Sequence, residues 1–192
     1  MMRLTNGRSW IEIDPVGAII SDAVLTLGDR QIRPLFQNPW RNDPREMDVL
    51  TRHLGGEWPC VPFGVAGAPP GLPDDWSCDT GAAQWHQHAH GYGAHSIWSL
   101  TKHDDQTAIA EITYPQSSPI ERLERRVHLS SSSEIHLELA IVARQNVELP
   151  VGLHPVVSLS DAEPGAAFIH VKGQDTAWTF PIEVEPGRSY LQ

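Results

Sequence analysis

Apolar and polar positions alternate with a period of two along much of the chain. The alternation is strictest over 134–143, where Ile135, Leu137, Leu139 and Ile141 fall on one face and Glu134, His136 and Glu138 on the other. This period predicts a half-buried antiparallel strand, with His128 and His136 facing solvent and carrying no function. Comparable runs predict strands over 10–13, 18–27, 31–36, 96–101, 107–114, 120–129, 147–154, 165–171 and 176–184. Gly28-Asp29, Asp104-Asp105, Ser130–Ser133 and Gln145-Asn146 supply turn residues between them. No helical period is sustained beyond a turn or two within 44–53. Many short strands joined by turns predict one all-β sandwich or barrel domain over residues 1–192, a length that suits a single core.

One stretch breaks the pattern. From Gly55 to Asp79 the chain is dense in glycine and proline, which in a compact domain marks a functional or a disordered loop. The embedded Trp58, Phe63 and Trp76 favour an ordered loop packed over a site, because flexible linkers rarely carry large apolar anchors.

Composition narrows the partners. The formal net charge of −10 argues against a nucleic-acid binder, which needs a basic face to neutralise phosphates. No apolar run has the length of a membrane span. Residues 1–8 carry basic side chains with no apolar stretch after them, so the expectation is a cytoplasmic protein in which Cys60 and Cys78 stay thiols.

Candidate chemistry concentrates between Trp85 and Trp98, where His86, His88, His90 and His95 fall within ten positions. Imidazoles this dense suit a metal or a polar ligand that exchanges protons, and tryptophan beside hydrogen-bonding groups suits a sugar. On a strand, His86, His88 and His90 would project to one face, as in a cupin-like metal site with His95 approaching and His154 completing it. The glutamate that cupins carry after their histidine pair is missing, and the expectation is that the protein uses no metal and no other cofactor.

Three segments in order carry a family resemblance. They are Gly55-Gly56 followed by Pro59-Cys60-Val61-Pro62-Phe63-Gly64; His90-Gly91-Tyr92 with Trp98 downstream; and Leu149-Pro150-Val151-Gly152-Leu153-His154-Pro155. Together they resemble the galactose mutarotase-like family, the aldose 1-epimerases and especially their hexose-6-phosphate branch. The resemblance covers nearly all of this chain but only the N-terminal part of a family member. It implies a galactose mutarotase-like antiparallel β-sandwich, a supersandwich incomplete at its C-terminus, with a small-molecule sugar in an open cleft. It makes His154 the general acid and His90 a ligand to the sugar ring or its hydroxyls. Arg52, Phe63, Tyr92, His95 and Trp98 become the substrate-binding candidates.

The departures are as informative. Ala94 stands where the hexose-phosphate branch has an arginine, and Arg52 is near the position of a second family arginine but out of register. The family's glutamate base lies well beyond the histidine-proline segment, and Asp161, Glu163, Asp175, Glu183 and Glu185 match no such context. The expected activity is anomer interconversion by acid–base ring opening, with a non-catalytic sugar-binding module as the alternative. A sandwich cut short leaves open strand edges, so association with a second copy or a longer polypeptide is expected.

Overall fold

The computed structural model describes residues 1–41, 43–47, 49–64 and 88–159, together with 162–163, 165–168, 170 and 172–173. Ten strands and two short helices are described, in the order β1 (Met2–Thr5), β2 (Trp10–Ile13), β3 (Ile20–Leu27), β4 (Arg30–Ile32), α1 (Val49–His53), β5 (Glu57–Cys60), α2 (Tyr92–His95), β6 (Ser99–Lys102), β7 (Thr107–Thr113), β8 (Ile120–Ser131), β9 (Glu134–Ala143) and β10 (Gly152–Pro155). They make two sheets, one ordered β1-β2-β3-β5-β10 with β4 paired to β3, the other β6-β7-β8-β9; every pairing is antiparallel.

The sheets face each other across a core that the alternation builds from both sides. Leu4, Ile11, Ile13, Ile20 and Ala23 of the first sheet meet Ala108 and Val127 of the second. In β8 the odd positions Leu123, Arg125, Val127 and Leu129 are all buried, so an arginine occupies a core position. It is accommodated by Glu57 of β5, whose carboxylate pairs with the Arg125 guanidinium, and by the Ala18 carbonyl, which accepts from Nη1 at 2.9 Å. A charge buried this deeply is tolerated only when paired and hydrogen-bonded. The pair ties β5, and what β5 carries, to the opposite sheet.

Several sequence expectations change. Residues 2–5 form an edge strand with a single core residue, Leu4, too few for alternation to reveal. Residues 57–60 lie inside the expected loop yet form a strand buried on both faces, pairing with β10 and with Ile20. The described residues of 165–171 are not in a strand, and 176–184 lies outside the described residues. His88 and His90 sit in a turn leading to α2 rather than on a strand. The 120–129 and 134–143 expectations hold, with His136 exposed and His128 partly so. Ile141 is 36% exposed because β9 is a sheet edge. Among the described residues no helix is long and apolar enough to cross a membrane.

Candidate functional site

The site begins with a cross-strand pair. His154 of β10 lies directly opposite Trp58 of β5, and directly opposed residues project to the same face. The two rings stack at 4.3 Å between centroids and 11° between planes. Trp58 is 1% exposed and packs with Ile19, Cys60 and Ala94 on the face of the first sheet away from the sandwich core. His154 is half-buried. Its Nδ1 is buried without a hydrogen-bond partner among the described residues, which leaves Nε2 as the nitrogen with solvent access.

Phe63 follows β5 and is fixed over the same face. Its N–H donates to the Pro150 carbonyl at 2.7 Å, tying the chain after β5 to the chain before β10. Gly152 makes room for the ring: a Cβ there would come within 2.8 Å of Phe63 Cδ2. Phe63 remains 42% exposed, an apolar face open to a ligand.

His90 arrives from the third segment. Its N–H donates to the Gly64 carbonyl at 2.6 Å, and the Gly64 N–H points to its Nδ1 at 3.4 Å. With Nδ1 accepting, a neutral ring carries its proton on Nε2. His90 has φ 61°, the left-handed region that costs a non-glycine residue roughly 1–2 kcal/mol and is held where surroundings over-determine it. Gly91, at φ 88°, presses the turn onto the preceding loop, since a Cβ there would lie 2.0 Å from the Val61 carbonyl oxygen. The result is a triad of rings: His90 lies 5.2 Å from Phe63 and 5.1 Å from His154, and Phe63 lies 6.3 Å from His154.

The other sequence candidates lie elsewhere. Arg52 donates from Nη1 to the Asp43 carbonyl at 2.7 Å and from Nη2 to the Arg45 carbonyl at 2.8 Å, fastening the backbone of those two residues. Trp98 is 2% exposed in the core, its Nε1 donating to the Gly93 carbonyl at 2.8 Å. Tyr92 packs edge-on against Tyr114 at 5.2 Å. His95 meets the Ala89 carbonyl through Nε2 at 2.7 Å, with its ring 5.4 Å from His88. His88 therefore turns toward His95 and Tyr92 while His90 turns toward Phe63 and His154. His88 and His90 thus do not share a face as they would on a histidine-x-histidine strand, and among the described residues no group of three or more His, Cys, Asp or Glu could hold an ion. His86 lies outside the described residues.

Two titratable groups packed near the rings are held neutral. Burial, reinforced by the nearby Glu57 charge, pushes the Cys60 thiol up to about 12, so it is neither nucleophile nor ligand near neutral pH. Burial likewise raises the Tyr114 hydroxyl, which donates to the Val61 carbonyl at 2.8 Å and accepts from the Gly93 N–H. Among the described residues no carboxylate is hydrogen-bonded or ion-paired to His154. Glu163 is exposed, and Asp161, Asp175, Glu183 and Glu185 fall outside the described residues. Sequence reasoning missed Trp58 as a site residue: its place beside a proline within a glycine-rich run read as a loop anchor. The signal that could have found it is the pairing of Trp58 with His154, which is visible only once β5 and β10 are neighbours.

Comparison with solved structures bears on the fold. A candidate aldose 1-epimerase from Escherichia coli K12 superposes with a TM-score of 0.54 at 18% identity, covering 80% of this chain and 50% of that one. A galactose mutarotase related enzyme from Lactobacillus acidophilus superposes with a TM-score of 0.55 at 12% identity, covering 84% of this chain and 50% of that one. No family model matches the sequence, and no curated protein matches it. The chain thus spans about half the length of the structures it resembles, and it carries a galactose mutarotase-like antiparallel β-sandwich fold.

Proposed function

We propose that the chain is a sugar-binding protein of the aldose 1-epimerase type, whose reaction is the interconversion of α and β anomers of an aldose. The observation that carries this reading is the convergence of His90, Phe63 and His154, from three separate segments, into one ring cluster backed by Trp58. A pyranose offers an apolar C–H face for the exposed Phe63 ring and an edge of oxygens for the two imidazoles. His154 protonates the ring oxygen from Nε2, the C1–O bond to that oxygen breaks, and the anomeric hydroxyl becomes a carbonyl as it loses its proton. Rotation about C1–C2 and the reverse sequence close the ring on the other face. His90 contributes its ring to the sugar's hydroxyl edge. The proton of the anomeric hydroxyl passes to solvent water. The transfer from His154 is general acid catalysis, which contributes typically 10²–10⁴-fold.

The partner in this reading is a small sugar and the setting is the cytoplasm, with residues 1–192 acting as one domain that associates with further β structure or a second copy. A second reading, a binding module that holds the sugar without turnover, is favoured by the lack, among the described residues, of a carboxylate paired with His154. Exchange NMR on a panel of free aldoses and hexose 6-phosphates separates the two. Protein-dependent transfer of saturation between anomers, lost in His154→Ala, supports the mutarotase. Line broadening of the sugar without exchange supports the module, and neither effect with any sugar refutes both.

A further inference from the structure

We infer that Trp58 is the positioning residue of His154: the indole is a fixed plate that sets the imidazole's plane and thereby aims Nε2 at the ligand. This inference rests on the assignment of His154 as the acid. Three features support it. The stack is nearly parallel, at 4.3 Å and 11°, whereas both other rings near His154 are oblique to it, Phe63 by 33° and His90 by 70°. Trp58 itself cannot move, being buried against Ile19, Cys60 and Ala94, on a strand whose preceding residue, Glu57, is ion-paired to the opposite sheet. Among the described residues no hydrogen bond holds the His154 ring, since its buried Nδ1 has no partner. A histidine that transfers protons is usually oriented through its other nitrogen. Here that nitrogen is idle, and the flat contact with Trp58 is what the structure provides in its place.

The plate serves the chemistry in two ways. It removes the freedom of the ring about its terminal torsion before substrate arrives, so that no ordering is required at the moment of transfer. It also places the electron-rich face of an indole against the ring that becomes cationic when it takes its proton back, a favourable contact between cation and aromatic face. Neither role requires Trp58 to touch the sugar.

The test compares the wild-type protein with Trp58→Phe and Trp58→Leu, reading anomer exchange kinetics and the carbon-bound ring-proton resonances of His154, assigned by their loss in His154→Ala. The wild-type His154 resonances are expected to lie upfield, within the shielding cone of the indole; Trp58→Phe keeps part of that displacement and most of kcat. In Trp58→Leu the resonances return to ordinary imidazole positions, and kcat falls by about 100-fold, the scale of a small misplacement of a reacting group, while KM changes little. Equal losses in kcat and KM, or His154 resonances at ordinary positions in the wild type, overturn the inference. The wild-type spectrum decides the point even if Trp58→Leu does not fold. Absence of anomer exchange in the wild type strikes the mutarotase reading alone, and the ring shifts then still decide whether Trp58 holds His154.

Discussion

Replacing Glu57 by Gln isolates the feature that fixes β5. The Arg125 side chain is 1% exposed and that of Glu57 6%, so neither can turn to water when its partner is lost. Without the carboxylate charge the guanidinium keeps the Ala18 carbonyl and little else, its Nε being already unbonded. Breaking a buried pair on one side costs about 3–5 kcal/mol. In a chain of this size that lowers Tm by about 6–20 °C, at 2–4 °C for each kcal/mol. The pair is nevertheless a poor net stabiliser, because Glu57 Oε1 and Arg125 Nε are both buried without partners among the described residues. The double replacement Glu57→Leu with Arg125→Met should therefore return to within about 1 kcal/mol of the wild type or exceed it, as buried pairs exchanged for packed apolar groups do. Urea unfolding of the wild type, both single variants and the double gives the coupling energy directly, provided the m-values agree. A double variant as unstable as the sum of the singles would refute the reasoning.

Other expectations concern the surroundings of the site. In a Cys78→Ser background, Cys60 should resist alkylation in the folded protein at about pH 8 and react fully in urea, because its thiol is held far above that pH by burial; rapid reaction when folded would contradict the burial. His53 titrates below its ordinary 6.5, chiefly through burial, with Asp14 at 3.7 Å opposing and Arg41 and Arg52 adding to the shift. The unfolded chain then binds the proton more readily, so the stability that this group contributes is present above pH 6.5 and is lost as pH falls toward the folded value. His53→Gln should flatten the pH dependence of stability in that window, measured by urea midpoints, and an unchanged slope would count against it. Gly91→Ala should cost more than the roughly 1 kcal/mol of left-handed strain that Gly28→Ala costs, since only Gly91 adds a collision with the Val61 carbonyl. Equal destabilisation of the two would show that the turn can move off the loop.

The strands with enough residues for a period to register, β8 and β9, were legible from the sequence, as was the hairpin at Gly28-Asp29 that joins β3 to β4. β5 was not, because a strand buried on both faces shows no alternation and Glu-Trp-Pro-Cys has the composition of a loop. Its charge is explained only by Arg125, 68 positions away. Within the site, His90, Phe63 and His154 could be named because their three segments resemble the family's motifs in order and spacing. Tyr92 and Trp98 belong to the same motif as His90, and Arg52 and His95 lie near the motifs in sequence, but local packing gives each of the four other partners. Side-chain direction in short irregular segments depends on what the neighbouring loop leaves open, and the sequence alone carries no period to reveal it.

The central claim, that His90 and His154 form one sugar site, is tested most directly by following the imidazole resonances of the protein during titration with an aldose. His90 and His154 should shift together along a single binding curve while His128 and His136, on the far sheet, stay in place. A titration in which His90 and His154 are unmoved by every sugar, or move along different curves, would contradict it.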